Sequence, residues 1–127
     1  MLRISDAQLA GLEAAVRERM TRRATATAQA RLAAAGVART PDQIRPVAAE
    51  MQAFAEARDL REQASLDALL ELRLSSWWRD PLPELAAMFL TRAGFPEPTR
   101  VEQFRQALIQ PQVTLIDLDA PLPAAAR

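Results

Sequence analysis

Leu9, Leu12, Val16 and Met20 recur at intervals of three and four, and Ile44, Val47, Met51 and Phe54 repeat the spacing. Such recurrence marks amphipathic helices. The first helix carries a full start signal: Ser5 as N-cap, Gln8 closing a capping box, and Ile4 with Leu9 as a hydrophobic staple. Asp6 sits in the first turn, where the helix dipole favours an anion. With Gly36 as the stop, the predicted helix runs from about Asp6 to Ala35.

Its lining changes along the way. Large apolar side chains end near Met20, and continuing the heptads meets Arg23, Thr27, Ala30 and Ala34. Thirty residues of unbroken helix would span roughly 45 Å, against a compact diameter of roughly 36 Å for a chain of this length. Three outcomes follow: a break in the Thr-rich stretch 24–28, a second half that projects to meet a partner, or close packing through alanine against another helix.

Thr40, Pro41 and Gln43 open a second helix, with Pro46 either starting it or kinking its first turn. Asp59 and Glu62 are read as a capping pair for a third helix, whose leucines between 66 and 74 make it the central one. Ser75, Ser76 and the segment 77–81 end it. A fourth helix, with Leu85, Met88, Phe89 and Leu90, is expected to run to a C-cap at Gly94. Thr99 and Glu102 form a further capping box for a short helix carrying Val101, Phe104, Leu108 and Ile109, ended by Pro111. Residues 113–119 read as a short strand or an extended docking segment, and 122–127 as disordered. With no second strand to pair, the fold class is all-α: one domain, 1–121, of about five helices with a long N-terminal helix and an extended C-terminal tail.

Composition narrows the chemistry. The chain has 127 residues with 16 basic and 16 acidic side chains, and every basic one is arginine. Cys and His are absent, as are Lys, Tyr and Asn. Disulfides, Cys/His zinc sites, Cys nucleophiles and His-dependent triads are therefore excluded. Serine has no His or Lys to activate it, and Gly11, Gly36 and Gly94 are too scattered for a phosphate-binding loop. Asp117 and Asp119 could face one cation, but a hard-cation site needs more converging oxygens. Glu13, Glu18, Glu50, Glu56, Glu62 and Glu71 are expected in helix-surface ion pairs. No catalytic, cofactor-binding or metal-ligating residue is assigned, and an enzyme is not expected.

Balanced charge argues against nonspecific nucleic-acid binding. Arg17, Arg19, Arg22 and Arg23 do not form one patch, since Arg17 and Arg19 diverge by roughly 160° around a helix. The segment 99–109, with only Arg100 and Arg105, is a poor DNA-recognition helix. No run reaches the roughly 18 apolar residues of a membrane span, and the N-terminus lacks a signal-peptide core. The expected location is cytoplasmic. Trp77 and Trp78 stand out, because adjacent tryptophans at a helix end cannot both enter one core. One should anchor inside and the other remain partly exposed, beside Arg79, and Trp and Arg are enriched in binding hot spots. The alternative is that Trp78 merely lies over the Pro81/Pro83 turn.

The opening Ile4-Ser5-Asp6-Ala7-Gln8-Leu9, with Leu12 and Arg17-Glu18-Arg19, resembles the start of a family of small helical bacterial proteins. Their genes commonly lie beside type VI secretion spike and effector genes. Residues 57–66, Ala-Arg-Asp-Leu-Arg-Glu-Gln-Ala-Ser-Leu, resemble the family's element that opens its central helix, and Asp80-Pro81 before an apolar helix also fits. The likeness spans about the first ninety residues. Arg58 and Asp59 replace a Tyr-Gly of the family pattern, and Trp77-Trp78 stand at its aromatic segment. The resemblance implies a non-enzymatic adaptor or co-chaperone that helps load an effector on the spike.

The partner expected is thus another protein (a secretion effector, adaptor or spike component), with a homo-oligomer as a further option. Neither membrane nor nucleic acid is expected. Candidate partner-binding residues are Trp77, Trp78, Arg79, Asp80 and Arg23, with the second half of the first helix adding surface. An immunity protein that neutralises a toxin is the alternative reading.

Overall fold

A computed structural model describes residues 5–109. Five α-helices follow one another: α1 Asp6–Ala34, α2 Pro41–Ala57, α3 Gln63–Arg73, α4 Glu84–Leu90 and α5 Glu97–Ile109. The all-α class and the long first helix are as expected. The readings of 113–119, of Asp117 with Asp119, and of 122–127 lie outside the described residues.

α1 begins as its sequence dictates. The Ser5 hydroxyl accepts from the Gln8 amide at 3.1 Å, and the Gln8 side chain accepts from the Ser5 amide at 2.8 Å. The helix does not break at its threonines. Thr21 and Thr25 hydroxyls donate back to the carbonyls of Arg17 and Thr21 at 3.0 and 2.8 Å, so they compete with no backbone bond. At the far end Gly36 adopts φ +83°. Its amide bonds Ala33 O, and that of Val37 bonds Leu32 O, a Schellman stop.

Of the three outcomes foreseen for α1, close packing through small residues is the one found. Ala24, Thr25 and Ala28 are its buried positions, set against α2, which buries Ile44, Ala48, Met51, Gln52 and Ala55. The second half of α1 is therefore bound into the bundle and does not project. Pro46 lies inside α2 near its start and forfeits one intrahelical hydrogen bond without ending it.

α3 touches α1, α2 and α5 and buries Leu66, Leu69, Leu70 and Leu72, the central role its leucines indicate. Three ion pairs lace these helices: Arg17–Glu56 at 2.7 Å, Arg31–Glu71, and Arg73–Glu50 at 3.7 Å. They run between helices, where the sequence suggested pairs along one helix.

Three expected boundaries move. Asp59 does not cap α3. It takes φ +56° as the left-handed residue of a Schellman stop on α2, its amide bonding Glu56 O and that of Leu60 bonding Ala55 O. α3 opens with Glu62 as an N-cap that makes no side-chain bond. A carboxylate from another helix serves instead: Glu97 accepts from the amides of Arg61 and Glu62, each at 2.7 Å, and from the Ser65 hydroxyl. α5 consequently starts at Glu97, and Thr99 and Glu102 lie inside it rather than at its cap. α4 stops at Thr91 instead of Gly94, which sits at φ +84° in the following turn.

Arg100 completes the join. Its guanidinium donates to Leu90 O at 2.8 Å, Arg58 O at 3.4 Å and Asp59 O at 3.5 Å. One cation thereby meets the carbonyl ends of both α2 and α4, where the helix dipoles favour it.

Candidate interaction surface

α2 doubles back along α1 and is spent by Glu56, opposite Arg17. α3 starts at the same level, where the Gln63 side-chain Nε2 donates to Met20 O at 3.1 Å. Residues 6–16 of α1 thus run on beyond this level, with Leu12, Glu13 and Val16 still bordering Gln52, Glu56, Leu60 and Arg61. Every residue from 5 to 19 is exposed. This arm carries the large apolar residues: Leu9 is 48% exposed, Leu12 54% and Val16 50%.

Taking 100° per residue, the Leu9–Leu12–Val16 stripe lies roughly a third of a turn away from the Ala24–Thr25–Ala28 face. The two are nonetheless joined: Leu12, Val16, Met20, Ala24 and Ala28 follow one another at steps of four, and Met20 packs on the core, so the stripe is the uncovered continuation of the row that enters it. At its base a concavity of about 350 Å³ opens toward α2 and the start of α3. Leu12, Val16, Met20 and Leu60 give it apolar wall, while Glu13, Arg17, Glu56 and Arg61 supply charge.

This arm is the site sequence reasoning missed. Leu9, Leu12, Val16 and Met20 read as one amphipathic face, with the second half of the helix offered as added contact surface; instead Leu9, Leu12 and Val16 stand exposed, and the second half packs through Ala24, Thr25 and Ala28, one of the three outcomes open for it. Helix lengths held the signal, since 17 residues of α2 cannot cover 29 of α1.

The tryptophans divide as their adjacency requires. Trp78 packs edge-to-face on Phe54 and Phe104, with ring centroids 5.4 and 5.7 Å away, so it is an anchor and not a cover for the proline turn. Asp80 holds it by accepting from the indole Nε1 at 3.3 Å. Trp77 is the outward member at 46% exposure, with Arg79 exposed beside it. Arg23 is exposed on α1, and among the described residues no hydrogen bond, ion pair or ring contact joins it to this corner. The five candidates thus form a cluster of four and a separate arginine.

A further concavity, of about 440 Å³, is lined by Arg58, Arg92 and Arg100. Its cations are already engaged. Arg58 donates to Phe54 O at 3.0 Å and stacks 3.6 Å from the Phe54 ring. Arg92 sits over the rings of Phe95 and Phe89 at 4.6 and 6.0 Å. With two helix carbonyl ends converging there, the place joins helices and is a poor anion receptor.

Among the described residues no helix is long and apolar enough to cross a membrane, and no group of three or more acidic side chains could hold a metal ion. No protein-family model, no curated protein and no solved structure matches this chain.

Proposed function

We propose that this chain acts without catalysis, as an accessory factor that binds another protein through the α1 arm. One observation carries the reading: three large apolar side chains stand half-exposed on the part of α1 that α2 and α3 leave uncovered. Exposed apolar stripes at spacings of three and four are how helices seat in a partner's groove or receive a partner helix. Trp77 and Arg79 supply a second contact of hot-spot chemistry. The partner class comes from the resemblance: a type VI secretion effector, adaptor or spike component, with this chain as adaptor or co-chaperone.

The test is affinity isolation of the tagged chain from its native host, side by side with Leu12→Glu. Leu12 is exposed, so the variant folds as the parent does. Recovery of a secretion component by the parent and its loss by L12E supports the proposal. Equal recovery by both removes the arm from it, and absence of any secretion component removes the partner class. Protection of cells against a neighbouring toxin, without any delivery defect, assigns the immunity role instead.

A further inference from the structure

We propose that the concavity at the base of the arm takes a tyrosine side chain from the protein that docks there, its ring between α1 and α2 and its hydroxyl on the Gln52 amide. The inference deepens the reading of the arm as a docking surface and rests on it. α2 buries Gln52 and carries Glu56 one turn later on the same side. Leu12, Val16 and Met20 line the space from α1 at steps of four. The left-handed Asp59 ends α2 at this level and turns the chain so that Leu60, 2% exposed, joins the wall.

Gln52 is the misfit in that wall. It is 7% exposed, and its Oε1 is buried with no hydrogen-bond partner. Among the described residues no hydrogen bond reaches either end of its amide. The cations around it are engaged, Arg17 with Glu56 and Arg61 with Asp59. Buried amides are almost always met by a partner, and this one borders a space open to a second molecule. A phenol hydroxyl both donates and accepts, so it satisfies whichever end of the amide turns to the opening.

The rest of the occupant follows from the walls. Leu12, Val16, Met20 and Leu60 offer apolar surface to an aromatic ring, and about 350 Å³ lies at the small end of ligand-binding cavities. A phenylalanine would cover the walls and leave the amide unmet, while an indole donates but does not accept. A second copy of this chain is excluded as the source, because the sequence contains no tyrosine. Charge at the mouth adds a further requirement. With Arg17 and Arg61 neutralised, Glu13 is left without an ion pair among the described residues, which suits a basic residue one turn from the tyrosine.

The test uses free p-cresol, toluene and 3-methylindole, which are the tyrosine, phenylalanine and tryptophan side chains as separate molecules. Each is titrated into the full chain and followed by amide chemical shifts. p-Cresol is expected to shift Leu12, Gln52 and Leu60 and to bind about fivefold more tightly than toluene. Gln52→Leu is expected to erase that preference and to keep a urea midpoint no lower than the parent's, since it removes an unmet amide. Tyramine, which adds an ammonium group, is expected to gain about threefold over p-cresol, a gain that Glu13→Gln removes. Toluene or 3-methylindole binding as tightly as p-cresol, shifts absent from Gln52, tyramine no tighter than p-cresol, or a Q52L variant less stable than the parent (an amide already met within the fold) each overturn the proposal. The two readings fail separately, because the probes report on the concavity of the isolated chain and the affinity isolation reports on the arm.

Discussion

Replacing Glu97 separates an interhelical cap from a mere surface charge. Its carboxylate takes the amides of Arg61 and Glu62 and the Ser65 hydroxyl at the start of α3, where Glu62 contributes no side-chain cap. A hydrogen bond of this kind is worth about 1 kcal/mol net, more when an ion takes part, and loss of a cap costs a similar amount. Because the site is half-buried, water recovers part of the loss. Glu97→Ala is therefore expected to destabilise by about 2–3 kcal/mol and Glu97→Gln by about 1 kcal/mol. Burial by itself would push the Glu97 carboxyl up. The Ser65 hydroxyl, the Arg61 and Glu62 amides and the Arg100 charge outweigh it and hold the pKa below the ordinary carboxylate value. A carboxyl depressed on folding adds stability above its unfolded pKa, near 4.3 for Glu, and surrenders it as pH falls through the folded value. Urea melts followed by circular dichroism at pH 7 and at pH 3 supply the measurement. The gap between parent and E97Q should be largest at pH 7 and close at the acid end. A gap that stays constant, or one under about 0.3 kcal/mol at pH 7, would mean that the three bonds do not act as a cap.

Four other outcomes are accessible to the same melts or to amide exchange. Asp59→Gly should raise stability by about 0.5–1 kcal/mol, since glycine occupies the left-handed position without steric cost, while Asp59→Ala should not. Trp78→Ala should cost about 3 kcal/mol and Trp77→Ala under about 0.5 kcal/mol, because only Trp78 packs against Phe54 and Phe104. Ala24→Leu should cost about 1–3 kcal/mol by forcing α1 away from α2. Ser5→Ala should speed exchange in residues 6–16 and leave residues 20–34 as they were, because the capping box is the tip's own support.

Starts and stops governed by local chemistry were readable in the sequence. Ser5 with Gln8, Thr40 with Gln43, and Gly36 all do locally what their residue types prescribe. Errors gathered where a distant group took over a local job. Glu97 caps α3 from 35 residues away, which removes the need for Asp59 to do so and frees it to end α2. The contact surface on α1 was misplaced for a different reason. Periodicity identifies a face without saying what covers it, and coverage depended on how far α2 and α3 reach. The same limit applied to the tryptophan pair: adjacency required a split, but only the positions of Phe54 and Phe104 decide which indole turns inward.

The continuity of α1 has an energetic corollary for recognition. Eleven residues cut loose in water would be mostly coil, because a helix must first form an unfavourable nucleus. Here residues 17–34 already supply that nucleus, so the tip stays wound before any encounter. Association through it should then proceed as docking of a rigid rod, with a heat-capacity change set by the apolar area covered and no added contribution from ordering a disordered peptide.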